Sequence, residues 1–273
     1  NLKERLEHEL ETDVALSVAP TDSADKWVVA GRGELHLAIL IEKMRREGYE
    51  LEVSKPEVIF KEMDGKTVEP VELASIEVPE QFSGTVIEMM GKRLGQMKDM
   101  KVDRNISFMD FAVPTRGLIG IRNQFLTATK GTGIFNTIFL GYEPFAGALD
   151  AGSHGSLIAS ESGTSTAYSM MNVQGRGTLF IAPATAIYEG MIVGENAKAE
   201  DLVVNVCRLK ELTNFRTKDV GVGEHLDVPH LMGLEDALDY IGDDELVEVT
   251  PKNIRLRKKF LTDADRRRAK KNT

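Results

Sequence analysis

Apolar residues in the first 55 positions alternate between helical and strand spacing. Leu2, Leu6 and Leu10 recur every four residues, which predicts an amphipathic helix at the start of the chain. The following patterns predict strands near residues 14–18, 27–30 and 49–53 and a second helix over 34–46. The order α-β-β-α-β lacks only the leading strand of the split β-α-β-β-α-β fold, and we expect that strand to precede Asn1.

A second run of elements repeats this order after a polar linker. The linker, KEMDGKTVEP (61–70), carries an Asp-Gly turn. Beyond it, the spacing predicts strands at 71–78 and 134–142, a hairpin over 95–114 and helices at 79–91 and 118–127. Together these elements make a complete ferredoxin-like unit.

The character of the chain changes from Gly147 onward, where Gly, Ser, Thr and Ala separate short apolar runs. Such a pattern is typical of small antiparallel strands in a barrel or sandwich. Residues 210–225 are polar, punctuated by glycine and long for an ordinary hairpin loop. The end of the chain reads as a short helix, a hairpin over 245–258 and a last helix opened by Thr262, with Asp265 completing a capping box.

These patterns predict an α+β fold with three domains. Residues 1–64 form a ferredoxin-like unit without its leading strand, and residues 65–145 form a second ferredoxin-like α/β sandwich. Residues 146–273 form a β-rich, barrel-like domain with a basic tail.

The composition is that of a soluble globular protein. Of the 273 residues, 42% are hydrophobic and 28% are charged, and no apolar run approaches the roughly 20 residues that a membrane helix needs, so we expect no membrane partner. Cys207 is the only cysteine, which excludes an internal disulfide and favours the cytoplasm; we expect it to pack inside the fold. Because the chain opens at Asn1 within a helical pattern, we expect it to be a piece of a longer protein.

Charge is unevenly distributed along the chain. The net charge of −9 argues against nonspecific nucleic-acid binding. From Arg255 to Lys271, however, nine Lys or Arg stand against two Asp. This basic tail is either a solvated face or an RNA contact, and its contrast with the acidic body favours RNA. Its candidate residues are Arg266, Arg267 and Arg268, with Lys270 and Lys271.

The glycine pair at Gly31-Arg32-Gly33 lies between a predicted strand and a predicted helix. A dinucleotide fingerprint needs a third glycine at position 36, where His36 stands, and no phosphate-loop motif occurs in the chain. Glu34, in the first helical turn, would repel a phosphate. A tight turn that needs glycine is therefore favoured over an anion site.

No catalytic constellation emerges from the sequence. The five histidines lack metal-type spacing, and the weak grouping of His225, Asp227 and His230 is interrupted by Pro229. The stretch 160–165 lacks the G-x-S-x-G nucleophile motif. We therefore expect no enzyme activity and no cofactor in this chain, and an enzyme with a site within 147–230 is the disfavoured alternative.

Three long segments identify a family. AGRGELHLAILIEKMRREGYELEVSKPEVIFKE (30–62) resembles the third domain of the elongation factor G class of translational GTPases, and VPTRGLIGIRNQFLTATKGTG (113–133) resembles its fifth domain. KELTNFR (210–216) and DDELVEVTPKNIRLRKKFL (243–261) resemble the extra C-terminal domain of the BipA/TypA GTPases. The segment after residue 147 does not resemble elongation factor G, which disfavours a translocation factor.

This resemblance implies a monomeric, ribosome-bound factor that acts in translation regulation, the stress response or ribosome assembly. Its partners would be ribosomal RNA, ribosomal proteins and the tRNA in the A site. GTP and magnesium would bind the full-length parent, on a GTPase domain outside this chain.

The resemblance also implies that the loop 208–224 reaches the acceptor arm of the A-site tRNA. It offers cations for phosphates, while Asn214 can bond base edges and Phe215 can stack. On composition alone a solvated loop of mixed charge is favoured, and Glu211 stands where the family often has a second lysine. We expect this loop to be mobile in the free protein and ordered on RNA. Its cations are Arg208, Lys210, Arg216 and Lys218.

Arg116 and Arg122 flank the sequence GLIGI at a predicted strand-to-helix junction. They either hold phosphates or are exposed charges at a helix end, and the sequence does not separate these alternatives.

Overall fold

The structure is a computed structural model that describes residues 2–23, 25–149, 154–209 and 225–272. Its contacts divide the chain into two compact units. We call Asn1–Lys55 with Ser153–Thr273 the composite unit, and Pro56–Gly152 the ferredoxin-like unit. The predicted domain boundaries at 64/65 and 145/146 stay a prediction.

The described residues form helices and strands with the following bounds. The helices are α1 (Leu2–Thr12), α2 (Glu34–Arg46), α3 (Ser83–Lys92), α4 (Thr115–Leu118), α5 (Ile121–Ala128), α6 (Ala167–Val173), α7 (Leu234–Tyr240) and α8 (Asp263–Asn272), with 3₁₀ turns at Glu80–Phe82 and Gln174–Arg176. The strands are β1 (Ser17–Pro20), β2 (Trp27–Ala30), β3 (Leu51–Ser54), β4 (Lys61–Met63), β5 (Lys66–Pro79), β6 (Gln96–Asp103), β7 (Ile106–Pro114), β8 (Ile134–Pro144), β9 (Gly155–Ala159), β10 (Gly163–Thr164), β11 (Gly177–Leu179), β12 (Ala186–Ile187), β13 (Met191–Asn196), β14 (Leu202–Val204), β15 (Glu245–Val249) and β16 (Ile254–Lys258). In the described part of the chain, no helix is long and apolar enough to span a membrane.

The ferredoxin-like unit has the predicted topology. Its four long strands are antiparallel in the order β8-β5-β7-β6, which is the order of a split β-α-β-β-α-β fold. Side chains of β5 and β7 pack against α3 and α5 in one core, represented by Ile76, Met90, Phe111 and Phe125. The α+β class predicted from the sequence is confirmed.

The expected linker at 61–70 is instead a β-hairpin. Lys61 to Met63 pair with Lys66 to Val68, and Asp64 and Gly65 turn the chain with φ of 52° and 70°. Two consecutive left-handed residues match the twist of the strands, and Asp-Gly adopts that conformation readily. The sequence analysis identified the Asp-Gly turn but not the short strand β4 before it, and for that reason the linker prediction was wrong.

The composite unit is built on a seven-stranded sheet. Its path runs β14-β9-β13-β16-β15-β3, and β11 pairs with β13. One face packs against α2 and α7 through Ala38, Ile41 and Leu238, and the other packs against α6 through Met170. The path has two free ends, so the barrel-like shape predicted for residues 146–273 is not formed by the described strands, which make an open sheet.

The N-terminal segment does not complete a sheet of its own. Among the described residues 2–60, β1 and β2 form a two-stranded ladder, whereas β3 pairs with β15, almost 200 residues away. The strand predicted near 14–18 begins only at Ser17, and Val14 is 95% exposed. β3 satisfies its backbone groups on the edge of the C-terminal sheet.

A buried ionic cluster lies where three strands of the composite unit meet. Lys258 on β16 is only 3% exposed, and its Nζ lies 2.8 Å from Asp201, 2.9 Å from Glu245 and 3.1 Å from Asp244. Glu245 on β15 also accepts hydrogen bonds from the hydroxyl of Ser156 on β9 (2.6 Å) and from the amide of Gly242 (2.8 Å). We call Lys258, Glu245, Asp244, Asp201 and Ser156 the Lys258 cluster.

Electrostatics within this cluster favour the ionised carboxylate. Burial acts to raise the pKa of Glu245, but His154, Lys258 and the hydrogen bonds from Gly242 and Ser156 outweigh it and lower the pKa to about 2. Burial acts to lower the pKa of Lys258, and the surrounding carboxylates raise it above its ordinary value.

We expect the Lys258→Met substitution to destabilise the protein by about 3–5 kcal/mol, because it leaves several carboxylates without their buried counter-charge. Lys259→Met is the matched control: Lys259 is adjacent and exposed, and its substitution should change stability by no more than about 0.5 kcal/mol. Urea denaturation of both variants provides the measurement. Equal unfolding midpoints would show that the cluster is not structurally important.

The Glu245→Gln substitution should make stability less dependent on pH in the acid range. The folded pKa of Glu245 is depressed, so its stabilising contribution, about 3 kcal/mol, is complete above the unfolded pKa near 4.5 and is lost as pH falls towards about 2. The difference between wild type and variant in free energy of unfolding should therefore shrink over that window. Denaturation at a series of pH values tests this, and a difference constant from pH 7 to pH 2.5 would contradict it.

Candidate nucleic-acid interface

Arg116 is held inside the ferredoxin-like unit. Its guanidinium donates to both carboxylate oxygens of Glu69 (2.5 and 3.1 Å) and to the carbonyl of Gly147 (2.6 Å), and it lies 4.7 Å from the ring centre of Phe145. Glu69 is 1% exposed and also accepts from the amide of Ala146. Burial acts to raise the pKa of Glu69, but Arg116 and that amide hold it below its ordinary value. The arrangement favours a structural role for Arg116 over phosphate binding.

Arg122 has a different environment. It lies in the first turn of α5, after Gly120 in the left-handed conformation (φ 67°), and it is exposed. The GLIGI turn itself is held by Arg93, which donates to the carbonyls of Gly117 (2.7 Å) and Ile119 (2.9 Å). The structure therefore separates the two arginines that flank this turn, and only Arg122 remains a surface cation.

The described residues on either side of segment 210–224 bond to α6 and to the turn that follows it. The hydroxyls of Thr166 and Ser169 both donate to the carbonyl of Arg208 at 2.7 Å. On the return side, the amide group of Gln174 bonds the carbonyl of His225 and the backbone N–H of Asp227, each at 3.0 Å. We call these contacts the loop root. Sequence reasoning missed them, although Thr166 stands at a recognisable N-cap position.

Of the predicted loop residues, the structure describes Arg208, which is exposed. The other predicted contacts, Lys210, Asn214, Phe215, Arg216 and Lys218, lie outside the described residues. The same holds for the expected mobility of this segment, which stays a prediction.

The basic tail forms α8, and Thr262 caps it as predicted, although the Asp265 carboxylate bonds the Thr262 hydroxyl rather than its backbone N–H as a full capping box would. The hydroxyl of Thr262 donates to the carboxylate of Asp265 (2.7 Å) and accepts from its backbone N–H (3.2 Å). Arg266 is largely buried and donates to the carbonyls of Phe260 and Leu261, so its geometry favours an anchoring role rather than RNA contact. The helix start was predictable, whereas the inward direction of Arg266 was not.

The remaining cations of α8 are on the surface. The side chains of Arg267 and Arg268 are 77% and 79% exposed, and each has a local carboxylate partner, Asp263 at 2.7 Å and Asp265 at 3.3 Å. Lys270 and Lys271 are also exposed. Exposed ion pairs of this kind are weak, so phosphate groups can compete for these arginines.

The glycine pair at 31–33 links β2 to α2 in close contact with His36. A Cβ at Gly31 would lie 2.9 Å from Nδ1 of His36, and the same Nδ1 accepts a hydrogen bond from the backbone N–H of Arg32. Nε2 of His36 lies 2.5 Å from Asp13. Close approach therefore requires glycine at position 31, whereas Gly33 is extended (φ 174°) and neither residue has a left-handed φ, so the expected need for glycine backbone angles is not met. These contacts favour a structural role for the pair over an anion site.

No metal-type grouping of three or more His, Cys, Asp or Glu side chains occurs within the described ranges. Burial and, secondarily, Glu161 raise the pKa of the half-buried Cys207 thiol. A raised pKa makes a thiol less reactive, in agreement with the packing role expected for this residue.

Two family models match most of the chain. The TypA/BipA C-terminal domain matches residues 154–263, and the elongation factor G C-terminus matches residues 66–151.

Curated relatives align along nearly the whole chain. The large ribosomal subunit assembly factor BipA of Bacillus subtilis is 50% identical over 272 residues, covering 99% of this chain and 44% of the relative. The protein of the same name in Synechocystis sp. is 48% identical, with 94% and 43% covered. A putative TypA-like elongation factor of the Arabidopsis thaliana chloroplast is also 48% identical, with 94% and 38% covered. The chain thus spans less than half the length of these relatives.

We expect Arg116→Met to destabilise the ferredoxin-like unit by about 3 kcal/mol, because Glu69 would remain buried without its cation. Arg122→Met, which removes an exposed cation from the same junction, should change stability by no more than about 0.5 kcal/mol. Thermal or urea unfolding of the two variants separates the structural and phosphate-binding roles. Similar stability of both variants would restore the phosphate alternative for Arg116.

Proposed function

The chain belongs to the TypA/BipA family, and we propose on that basis that it is the ribosome-contacting part of a translation factor. In this proposal, rigid sheets of the composite unit present the loop 208–224 to the acceptor arm of an A-site tRNA. A second contact, by the exposed cations of α8, is made to ribosomal RNA.

The observation that carries the proposal is the loop root. Thr166, Ser169 and Gln174 tie both ends of the loop to α6 and the turn that follows it. A long segment that starts and ends at a rigid point can reach outward without loosening the core. Its composition, with Arg, Lys, Asn and Phe, suits phosphate contacts, base-edge hydrogen bonds and stacking on unpaired bases.

Charge distribution supports the second contact. The exposed face of α8 carries four cations within two helical turns: Arg267, Arg268, Lys270 and Lys271. Because the overall charge is −9, phosphate groups are repelled by most of the surface and attracted to this local basic surface.

The whole protein's role is part of the same proposal. The Bacillus subtilis and Synechocystis relatives are named as assembly factors of the large ribosomal subunit, which supports a role in ribosome assembly, together with translation regulation or the stress response. We propose that the full-length protein is a monomeric, cytoplasmic GTPase. GTP and magnesium would then bind a domain outside this chain, since the chain contains no phosphate-loop motif.

Between the rival functions, the match of residues 154–263 to the TypA/BipA C-terminal domain favours this family over a translocation factor of the elongation factor G type. The alternative of a self-standing enzyme with a site within 147–230 has no observation in its favour.

We expect charge reversal of Lys210, Arg216 and Lys218 to Glu to weaken ribosome association of the full-length protein and to make it less sensitive to salt. Each lost phosphate contact should lower the slope of log affinity against log salt by roughly 0.7–0.9. Ribosome co-sedimentation across a salt series provides the measurement, and melting curves should show that folding is nearly unaffected.

The matched control reverses three other exposed lysines, Lys26, Lys198 and Lys252, which produces the same change in net charge. Affinity and slope equal to those of the control would mean that the loop is not a contact and would leave α8 as the candidate. Failure of the wild-type protein to sediment with ribosomes would reject the proposed function.

A further inference from the structure

One face of the sheet in the ferredoxin-like unit is not covered by its helices. Strand register assigns residues to this face, because directly paired residues of neighbouring strands point to the same side. We call it the open face, and it comprises Leu73, Ser75 and Glu77 on β5, Ile106, Phe108, Asp110 and Ala112 on β7, Ile134, Asn136 and Ile138 on β8, and Asp99, Lys101 and Asp103 on β6. The hydrogen bond from the Ser75 hydroxyl to Asp110 (2.7 Å) agrees with this assignment.

The open face exposes four large apolar side chains. Ile138 is 67% exposed, Ile134 51%, Ile106 42% and Phe108 39%. Register places Ile138 beside Leu73 at one end of the face and Ile134, Phe108 and Ile106 at the other, with the polar row of Asn136, Ser75 and Asp110 between them. Two exposed apolar groups on either side of a polar row fit a protein partner that offers both kinds of contact.

The same face is acidic. Glu77, Asp99, Asp103 and Asp110 contribute four carboxylates. Two ammonium groups lie beside them: Lys101, 3.2 Å from Asp99, and Lys98, which donates to Gln96 across from Ala112. A phosphate backbone would be repelled by this charge, whereas Lys and Arg side chains of a protein would be attracted. The surface thus differs in chemistry from the loop and from α8.

We propose that the open face docks a protein surface rich in Lys or Arg that also presents apolar side chains, and that it does not contact RNA. The inference rests on the proposed ribosome association, and it identifies the kind of partner that one face of this chain meets there. The isoleucines and Phe108 supply the buried area, and the surrounding carboxylates select a basic partner.

Charge reversal discriminates a protein partner from RNA by the sign of the effect. Asp99→Lys with Asp103→Lys, in the full-length protein, should weaken binding to large ribosomal subunits roughly five- to tenfold, because like charges would face each other. An RNA partner would instead be bound more tightly. The control pair, Glu88→Lys on α3 with Glu11→Lys on α1, makes the same change in net charge at exposed helical residues outside the open face and should not weaken binding.

A photo-crosslink identifies the occupant directly. p-Benzoylphenylalanine in place of Ile138 should crosslink to a Lys- or Arg-rich segment of a ribosomal protein when the full-length protein is bound to large subunits. The same group in place of Leu126, which lies 40% exposed on α5, should not reach that segment.

Three outcomes would overturn the proposal while sedimentation with subunits is retained. They are crosslinking of the Ile138 position to ribosomal RNA, crosslinking to another part of the same protein, and unchanged or tighter binding by the Asp99 and Asp103 double variant. Loss of sedimentation by the unmodified protein would reject the proposed function itself, and this inference with it.

Discussion

The composite unit depends on burying one ammonium group. Lys258 is 3% exposed, and it can remain charged there only because Asp201, Asp244 and Glu245 lie within 2.8–3.1 Å. Those carboxylates come from β15, from the residue before it and from the segment before β14, and Ser156 on β9 completes the set. A slip of β15 against β16 would leave the buried carboxylate of Glu245 or the ammonium of Lys258 without its counter-charge. The cluster therefore specifies register as well as contributing to stability.

Two other features are positioned through this cluster. β15 carries Glu245 and also accepts β3 along its other edge, so the N-terminal segment joins the C-terminal sheet at a strand whose register is already set. β16 carries Lys258 and leads within a few residues to Thr262, where α8 begins. The exposed cations of α8 are consequently held at a defined position relative to the sheet.

The arginines of this chain show how similar sequence signals acquire different roles. The guanidinium groups of Arg116 and Arg266 each donate to two or more carboxylate or carbonyl oxygens, and both point into the protein. Arg122 and Arg267, nearby in sequence to each of them, are left at the surface. A guanidinium has five donors in a rigid fork, so clustered carbonyl or carboxylate oxygens bind it more firmly than solvent does. The acceptors of Arg116, Glu69 and Gly147, are distant in the chain, whereas those of Arg266, Phe260 and Leu261, lie six and five residues before it.

The sequence by itself determined the elements whose signals are local. The helix over 34–46 and the strand over 27–30 have the predicted bounds. Periodicity and side-chain chemistry within a few residues also account for the hairpin that ends near Pro114, the cap at Thr262 and the turn at Gly31. Only the tertiary structure decided that β3 leaves its neighbours to pair with β15, that the last strands stay open, that Thr166 and Gln174 root the loop, and that Lys258 is buried. Each of these depends on which distant backbone edges and charges meet, and a local pattern carries no information about partners far away along the chain.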